Sequence, residues 1–391
     1  MALRIERSPI LSHLTFGSGA ASACYPFDAP NLSVWHSGQT AIWQGIRALG
    51  LKPADRVLVP AYCCGSEVDA LLKADLRLDY FRVRPDLSPD FDHLEKLCRE
   101  PARALLVIHY FGLSQPMDEL LAFAGERGLL LIEDNAHGLY SNDQNGRPLG
   151  SLGDIGVFSF TKTLPVPDGG ALVLRSPTAH MMDTTPATRP PLGPTVGSFT
   201  DLVRRSALQW FPAGASVARR AKRLVRPSGP DQNADAGPPN RAPVSADIEY
   251  YLLDTDKASR RMSWLGRFIL RHTDHDAVRE ARRRNFAFIA GQFEPGKRAR
   301  PLIEELPSGC SPWQYPVWAD DPVGLLGHLW ADGIESEIFW EFTHPAVPIG
   351  QFEFEDGLKR HCIDIPVHQS LDENDMALIA QSLNAWNIKN T

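Results

Sequence analysis

The stretch Leu129-Leu130-Leu131-Ile132-Glu133-Asp134-Asn135-Ala136-His137, followed after a polar turn by Gly153-Asp154-Ile155-Gly156-Val157-Phe158-Ser159-Phe160-Thr161-Lys162, decides the fold. Residues 129–132 are apolar without alternation, and Gly128 and two carboxylates bound them. That is the pattern of a strand buried on both faces. Such strands belong to parallel sheets covered by helices, and in open α/β sheets chemistry gathers at the strands' carboxyl ends. Asp134 stands at one such end, and a second strand over 155–160 leads directly to Lys162.

Working outward, apolar runs at 57–61, 78–83 and 104–110 predict further strands, and 171–175 predicts the last of this set. Helical spacing at 91–97 and 117–128 falls between them. Alternation of strand and helix gives an α/β fold with a mostly parallel sheet and helices on both faces. Upstream, apolar positions 42, 46 and 49 have helical spacing. Ser37-Gly38-Gln39-Thr40 therefore lies at a helix N-terminus, which suits an anion or a plain cap equally.

A chain of 391 residues exceeds what one core can organise, so we expect a large domain over 1–190, an insertion over 191–245 and a smaller α+β domain over 246–391. Residues 1–30 read as a surface arm. The formal net charge of −7 excludes bulk binding to nucleic acid. Six cysteines without framework spacing predict free thiols and a cytoplasmic setting. No apolar run approaches the roughly 20 residues of a membrane span. His272-Thr273-Asp274-His275 reads as a solvated turn rather than a metal site, and no nucleotide-binding glycine motif occurs.

The insertion is distinctive. Val203, Ala207, Trp210 and Phe211 form one apolar stripe, and Val217, Ala218, Ala221, Leu224 and Val225 form a second. Arg204, Arg205, Arg219, Arg220, Lys222, Arg223 and Arg226 run against them, opposed only by Asp201. Two readings stay open: helices packed on the body or across a dimer, or peripheral membrane contact through 201–226, since basic amphipathic helices with Trp and Phe suit anionic lipid surfaces.

An acid and an amine delivered by neighbouring strand ends suit a cofactor with a basic ring nitrogen and an aldehyde. The combined motif resembles the DegT/StrS family of sugar aminotransferases, fold-type-I enzymes that use pyridoxal phosphate (PLP). Asp134 with His137, the run Gly150 to Phe160, and Lys162 followed by Asp168-Gly169-Gly170 carry the resemblance. His109-Tyr110-Phe111-Gly112, Arg261-Met262-Ser263, Gly333-Ile334 and Ile365-Pro366-Val367-His368 extend it over roughly 30–180 and 255–390.

The resemblance implies a fold-type-I large domain and assigns roles. Lys162 is the catalytic lysine that holds the cofactor. Asp134 faces the ring nitrogen and His137 the phenolic oxygen. Gly38, Gln39, Thr40 and Ser159 meet the phosphate. Cys64 stands where a ring-stacking residue often lies. Ser259 and Arg261 reach the phosphate from the partner chain of a homodimer. The implied reaction moves an amino group from glutamate to a keto-sugar carried on a nucleotide. The sequence departs from the family at Gln39, Cys64 and Ser259, and only Thr161 separates Phe160 from Lys162 where three residues are common. Two alternatives are a PLP-dependent sugar dehydratase, against which Lys162 argues, and a non-catalytic scaffold retaining the fold.

Overall fold

The computed structural model describes residues 5–16, 24–175, 186, 188–210, 252–341 and 343–388. The first sheet has seven strands: β1 (Leu32–Trp35), β2 (Arg56–Pro60), β3 (Arg77–Phe81), β4 (Ala104–Ile108), β5 (Leu130–Asn135), β6 (Ile155–Ser159) and β7 (Gly170–Leu174). Their order is β1-β7-β6-β5-β4-β2-β3. The pairs β2–β3, β2–β4, β4–β5 and β5–β6 are parallel, whereas β7 runs antiparallel to β6 and β1 antiparallel to β7. The mostly parallel α/β sheet is thus as expected. Helices α1 (Gly38–Ala48), α2 (Ser66–Leu72), α3 (Phe91–Leu97) and α4 (Met117–Arg127) connect its strands. Every residue of β2 and β4 is buried, which is why their sequences, after Arg56 at the start of β2, are apolar without alternation.

Strand ends differ from the predicted ones for local reasons. The strand predicted over 104–110 stops at Ile108, because Tyr110–Gly112 forms a 3-10 turn with Phe111 at φ 54°. Helix α4 stops before Gly128, whose φ of 63° gives a left-handed C-cap.

Lys162 lies on α5 (Phe160–Thr163), and α6 spans Leu192–Trp210. Helices α7 (Trp264–His272) and α8 (His275–Gln292) lead into a second sheet of β8 (Ala299–Pro301), β9 (Gln314–Ala319), β10 (Glu337–Ile338) and β11 (Cys362–Pro366). Its order is β10-β11-β9-β8, antiparallel throughout. Helices α9 (Pro322–Ala331), α10 (Glu353–His361) and α11 (Glu373–Ile388) complete this α+β part. It has its own core, in which Phe286, Tyr315, Val317, Leu329, Ile363 and Leu383 are all buried.

Three expectations are corrected. The N-terminal segment is no surface arm where it is described: Ile5 is fully buried in the second core, and its backbone pairs with Gly333 and Glu335. The stretch at 272–275 is not a solvated turn, since Asp274 caps α8 and the buried His275 meets the Tyr140 hydroxyl at 2.5 Å. Helix α6 turns a different face inward from the one its apolar stripe suggested. Thr195, Leu202 and Ser206 are buried, and Ser206 Oγ accepts from Leu11 N, while Val203 and Ala207 are exposed. The side chain of Trp210, and all of 211–251 with the second stripe, lie outside the described residues.

Candidate active site

Alternation along β5 gives its two acids opposite duties. Glu133 is fully buried and accepts from the amides of Gly150, Leu152 and Gly153 and from the His109 ring. Burial works against its charge, but His109 and these amides hold its carboxyl below the ordinary range. His109 in turn accepts the Gln115 amide on Nδ1, so its Nε2 carries the proton toward Glu133. His109 therefore organises the 150–153 loop and stays out of the reactive cluster.

Asp134 faces the other way. Its Oδ1 accepts from Ala136 N at 2.8 Å, and it is in register with Ile108 on β4 and Val157 on β6. Burial, and next the Glu67 carboxylate, push its pKa from 3.8 up to about 6, although Lys162 and His109 oppose them. Here is a buried acid that would gain from a cationic proton donor.

One strand over, β6 ends at Ser159 and the chain enters α5 at once. The short spacing before Lys162 is thus accommodated as a single helical turn, with no intervening loop. The Lys162 amine lies 2.8 Å from His137 Nε2. Burial, then the charges of Lys162 and Arg7, drive the His137 pKa well down, so the ring is neutral. Trp313 stacks on that ring with centroids 4.2 Å apart and planes 9° from parallel, and donates from Nε1 to the Lys162 carbonyl at 2.8 Å. Buried Arg282 ties the turn to the second sheet: Nη2 donates to the Thr163 carbonyl and Nη1 to that of Trp313, both at 2.9 Å.

Helix α1 presents its N-terminus beside the same strand end. Ser37 caps it, accepting from Thr40 N at 3.2 Å. A Cβ placed on Gly38 would sit 3.3 Å from Ser159 Cβ, so the first residue of α1 lies against Ser159, with Gln39 and Thr40 next on the same helical turn. Gly170, paired with Ser159, makes this possible: a Cβ there would lie 2.4 Å from Gly38 N. Cys64 is also in the cluster. Its thiol and amide both donate to Glu67, at 3.1 Å each, and its thiol feels the charge of Lys162.

Ser259 and Arg261 lie on the segment that runs beside β1. Arg261 pairs with Trp35 in an antiparallel bridge, His36 N donates to the Arg260 carbonyl, and Gln44 Nε2 donates to the Ala258 carbonyl. The segment thus braces the start of α1 in its own chain. Arg261 Nε is buried without a hydrogen-bond partner among the described residues.

Sequence reasoning missed Glu67, Trp313, Arg282 and Arg7. Glu67 was findable, since Cys64-Gly65-Ser66-Glu67 has the spacing at which an acid reaches back to a helix start. The other three act across more than a hundred residues of chain, and no local pattern marks them.

Acid, amine, neutral histidine and helix N-terminus fit PLP by their chemistry. Asp134 suits a protonated pyridine nitrogen, Lys162 an aldehyde, His137 a phenolic oxygen, and the amides at α1 a phosphate. The sheet order fits the fold-type-I architecture that the motifs imply. Residues 30–184 match the model of the DegT/DnrJ/EryC1/StrS aminotransferase family, the family that the motifs resemble.

Protein MosB of Rhizobium meliloti is 36% identical over 150 residues, which cover 36% of this chain and 28% of that protein. A dTDP-4-dehydro-2,3,6-trideoxy-D-glucose 4-aminotransferase of Saccharopolyspora spinosa is 30% identical over 145 residues, covering 36% of this chain and 37% of that one. The alignments with these curated relatives thus span about a third of their length. Across the whole fold, S. venezuelae DesV superposes with a TM-score of 0.63 at 19% identity, covering 97% of this chain and 90% of that one. The putative sugar aminotransferase Spr1654 of Streptococcus pneumoniae superposes with a TM-score of 0.67 at 14% identity, covering 99% and 98%.

Proposed function

We propose that this protein is a PLP-dependent aminotransferase that moves an amino group from glutamate to a keto-sugar carried on a nucleotide. The observation that carries the reading is the Lys162 amine beside neutral His137, one strand from the buried acid Asp134. The Saccharopolyspora spinosa relative supports the substrate class, since it is named as an aminotransferase of a dTDP-linked keto-sugar.

When bound, PLP supplies an electron-accepting ring. Asp134 keeps a proton on the ring nitrogen, because an opposite charge favours the charged form. His137 Nε2 orients the group that Lys162 meets. Lys162 Nζ, once released, is placed to carry a proton to and from the substrate carbon. The amides of Gly38, Gln39 and Thr40 hold the phosphate, with Ser159 beside them. Cys64 lines the pocket where an aromatic ring often stacks. Trp313 and Arg282 position Lys162 by holding the carbonyls of its turn.

We place the protein in the cytoplasm as a homodimer in which Ser259 and Arg261 serve the partner's phosphate site. We assign residues 1–190, 191–245 and 246–391 to the large domain, the insertion and the small domain, with the described N-terminal residues around Ile5 and Arg7 packed on the small domain. Peripheral membrane contact through 201–226 is the second reading of the insertion. The exposure of Val203 and Ala207 beside Arg204 favours it, because these described residues of the stripe do not pack on the body. No helix among the described residues is long and apolar enough to cross a membrane. Flotation with anionic vesicles at low salt tests this contact, and protein left in the soluble fraction excludes it. The aminotransferase reading predicts a visible PLP absorbance that L-glutamate removes and a keto-sugar nucleotide restores. A protein that stays colourless with PLP contradicts it.

A further inference from the structure

The least expected charge near the site is Arg7. Its side chain is one-fifth exposed, and it enters from the N-terminal segment. Nε donates to both oxygens of Asp364, at 3.1 and 2.9 Å, and Nη2 donates to Asp364 Oδ2 at 2.5 Å. The same Nη2 meets Glu337 Oε1 at 2.6 Å. Asp364 is fully buried and pairs with Glu337 across β11 and β10. One carboxylate therefore anchors the guanidinium, while the second lies half exposed at its edge. No described residue takes Nη1.

Arg7 also lies close to the reactive amine. Its guanidinium carbon is 5.5 Å from the Trp313 ring centroid, and the Lys162 amine is 5.1 Å from the same centroid. An anion seated on Arg7 would thus share the Trp313 ring with the reacting nitrogen. We propose that Arg7 is the seat for a carboxylate of the amino donor, and that Glu337 occupies this seat until the donor displaces it toward solvent.

This proposal rests on the aminotransferase reading. Charge decides the class of ligand. Exchanging the Glu337 carboxylate for a donor carboxylate leaves the charge around Arg7 unchanged. A diphosphate would instead bring extra negative charge against Asp364. The planar guanidinium offers its outer edge as a two-pronged fork, which suits a carboxylate. Glu337 is also placed to leave, since its side chain is half exposed at the outer edge of the guanidinium.

The test is calorimetric titration of the full-length, PLP-loaded protein with glutarate, a dicarboxylate without a reactive amine. Wild type should bind saturably, Arg7→Gln at least tenfold more weakly and Glu337→Gln several-fold more tightly. In turnover, Arg7→Gln should raise KM for L-glutamate and leave KM for the keto-sugar nucleotide unchanged. Equal glutarate affinity in all three proteins, or none in wild type, overturns the assignment. If Arg7→Gln does not fold, Glu337→Gln decides alone, and unchanged affinity overturns the proposal. A parallel titration with UDP covers the other anion: weakening by Arg7→Gln of UDP alone gives the residue to the nucleotide and also overturns it. Borohydride labelling of Lys162 on the same samples reports separately on the aminotransferase reading.

Discussion

Asp134→Asn, studied in the cofactor-free protein, tests the electrostatics of the site in isolation. The carboxyl is raised from 3.8 to about 6, first by burial and then by Glu67. Its folded-state pKa lies above its unfolded one, so the folded state favours the protonated form. Its contribution to stability is fully present below about 3.8 and is lost as pH rises through about 6. At 1.36 kcal/mol per pH unit, the penalty at neutral pH is on the order of 3 kcal/mol, shared with Glu67. Asn keeps the acceptor for Ala136 N and cannot ionise. Urea unfolding of both proteins between about pH 3.5 and pH 7.5 measures the difference. Asp134→Asn should gain on wild type by up to about 3 kcal/mol across that window. Loading PLP should reverse the ranking, because the cofactor's ring proton then meets the carboxylate in wild type alone. A stability difference that stays flat with pH would refute the argument.

Gly170→Ala should weaken PLP retention and destabilise the fold by roughly 1–3 kcal/mol, because its Cβ would press on the Gly38 amide; equilibrium dialysis and thermal melts measure the two effects. Arg282→Met leaves the Trp313 carbonyl and Gln369 Oε1 without their buried donor and removes one of two donors to the Thr163 carbonyl, so it should cost about 3 kcal/mol in urea unfolding and lower kcat through a loosened Lys162 turn. Arg261→Ala should speed PLP loss without unfolding the protein, and a fully active monomer by light scattering would rule out its proposed role across a dimer.

The parts of this site that were legible in the sequence are those made by neighbours along the chain. The apolar run 129–132 marks a buried strand, and the acid at its end needs no tertiary information to be placed. Ser37 to Thr40 reads as a helix start because caps are local. What stayed hidden depends on distance. Arg7 meets Asp364 from the far end of the chain, so the N-terminal segment looked like a surface arm. Trp313 covers His137 only because the second sheet closes on the first. The inward face of α6 was misread for the same reason. Its apolar stripe includes Val203, yet Ser206 is buried because its hydroxyl serves the Leu11 amide, a partner that helical periodicity does not reveal.

The central claim is that Lys162 holds the cofactor despite standing only three residues beyond Ser159. Incubating the protein with PLP, reducing it with borohydride, digesting it and mapping the modified peptide by mass spectrometry tests this directly. The account predicts one pyridoxyl group per chain, on Lys162, and its loss in Lys162→Ala. Stoichiometric label on another lysine, or none on a folded protein saturated with PLP, would contradict it.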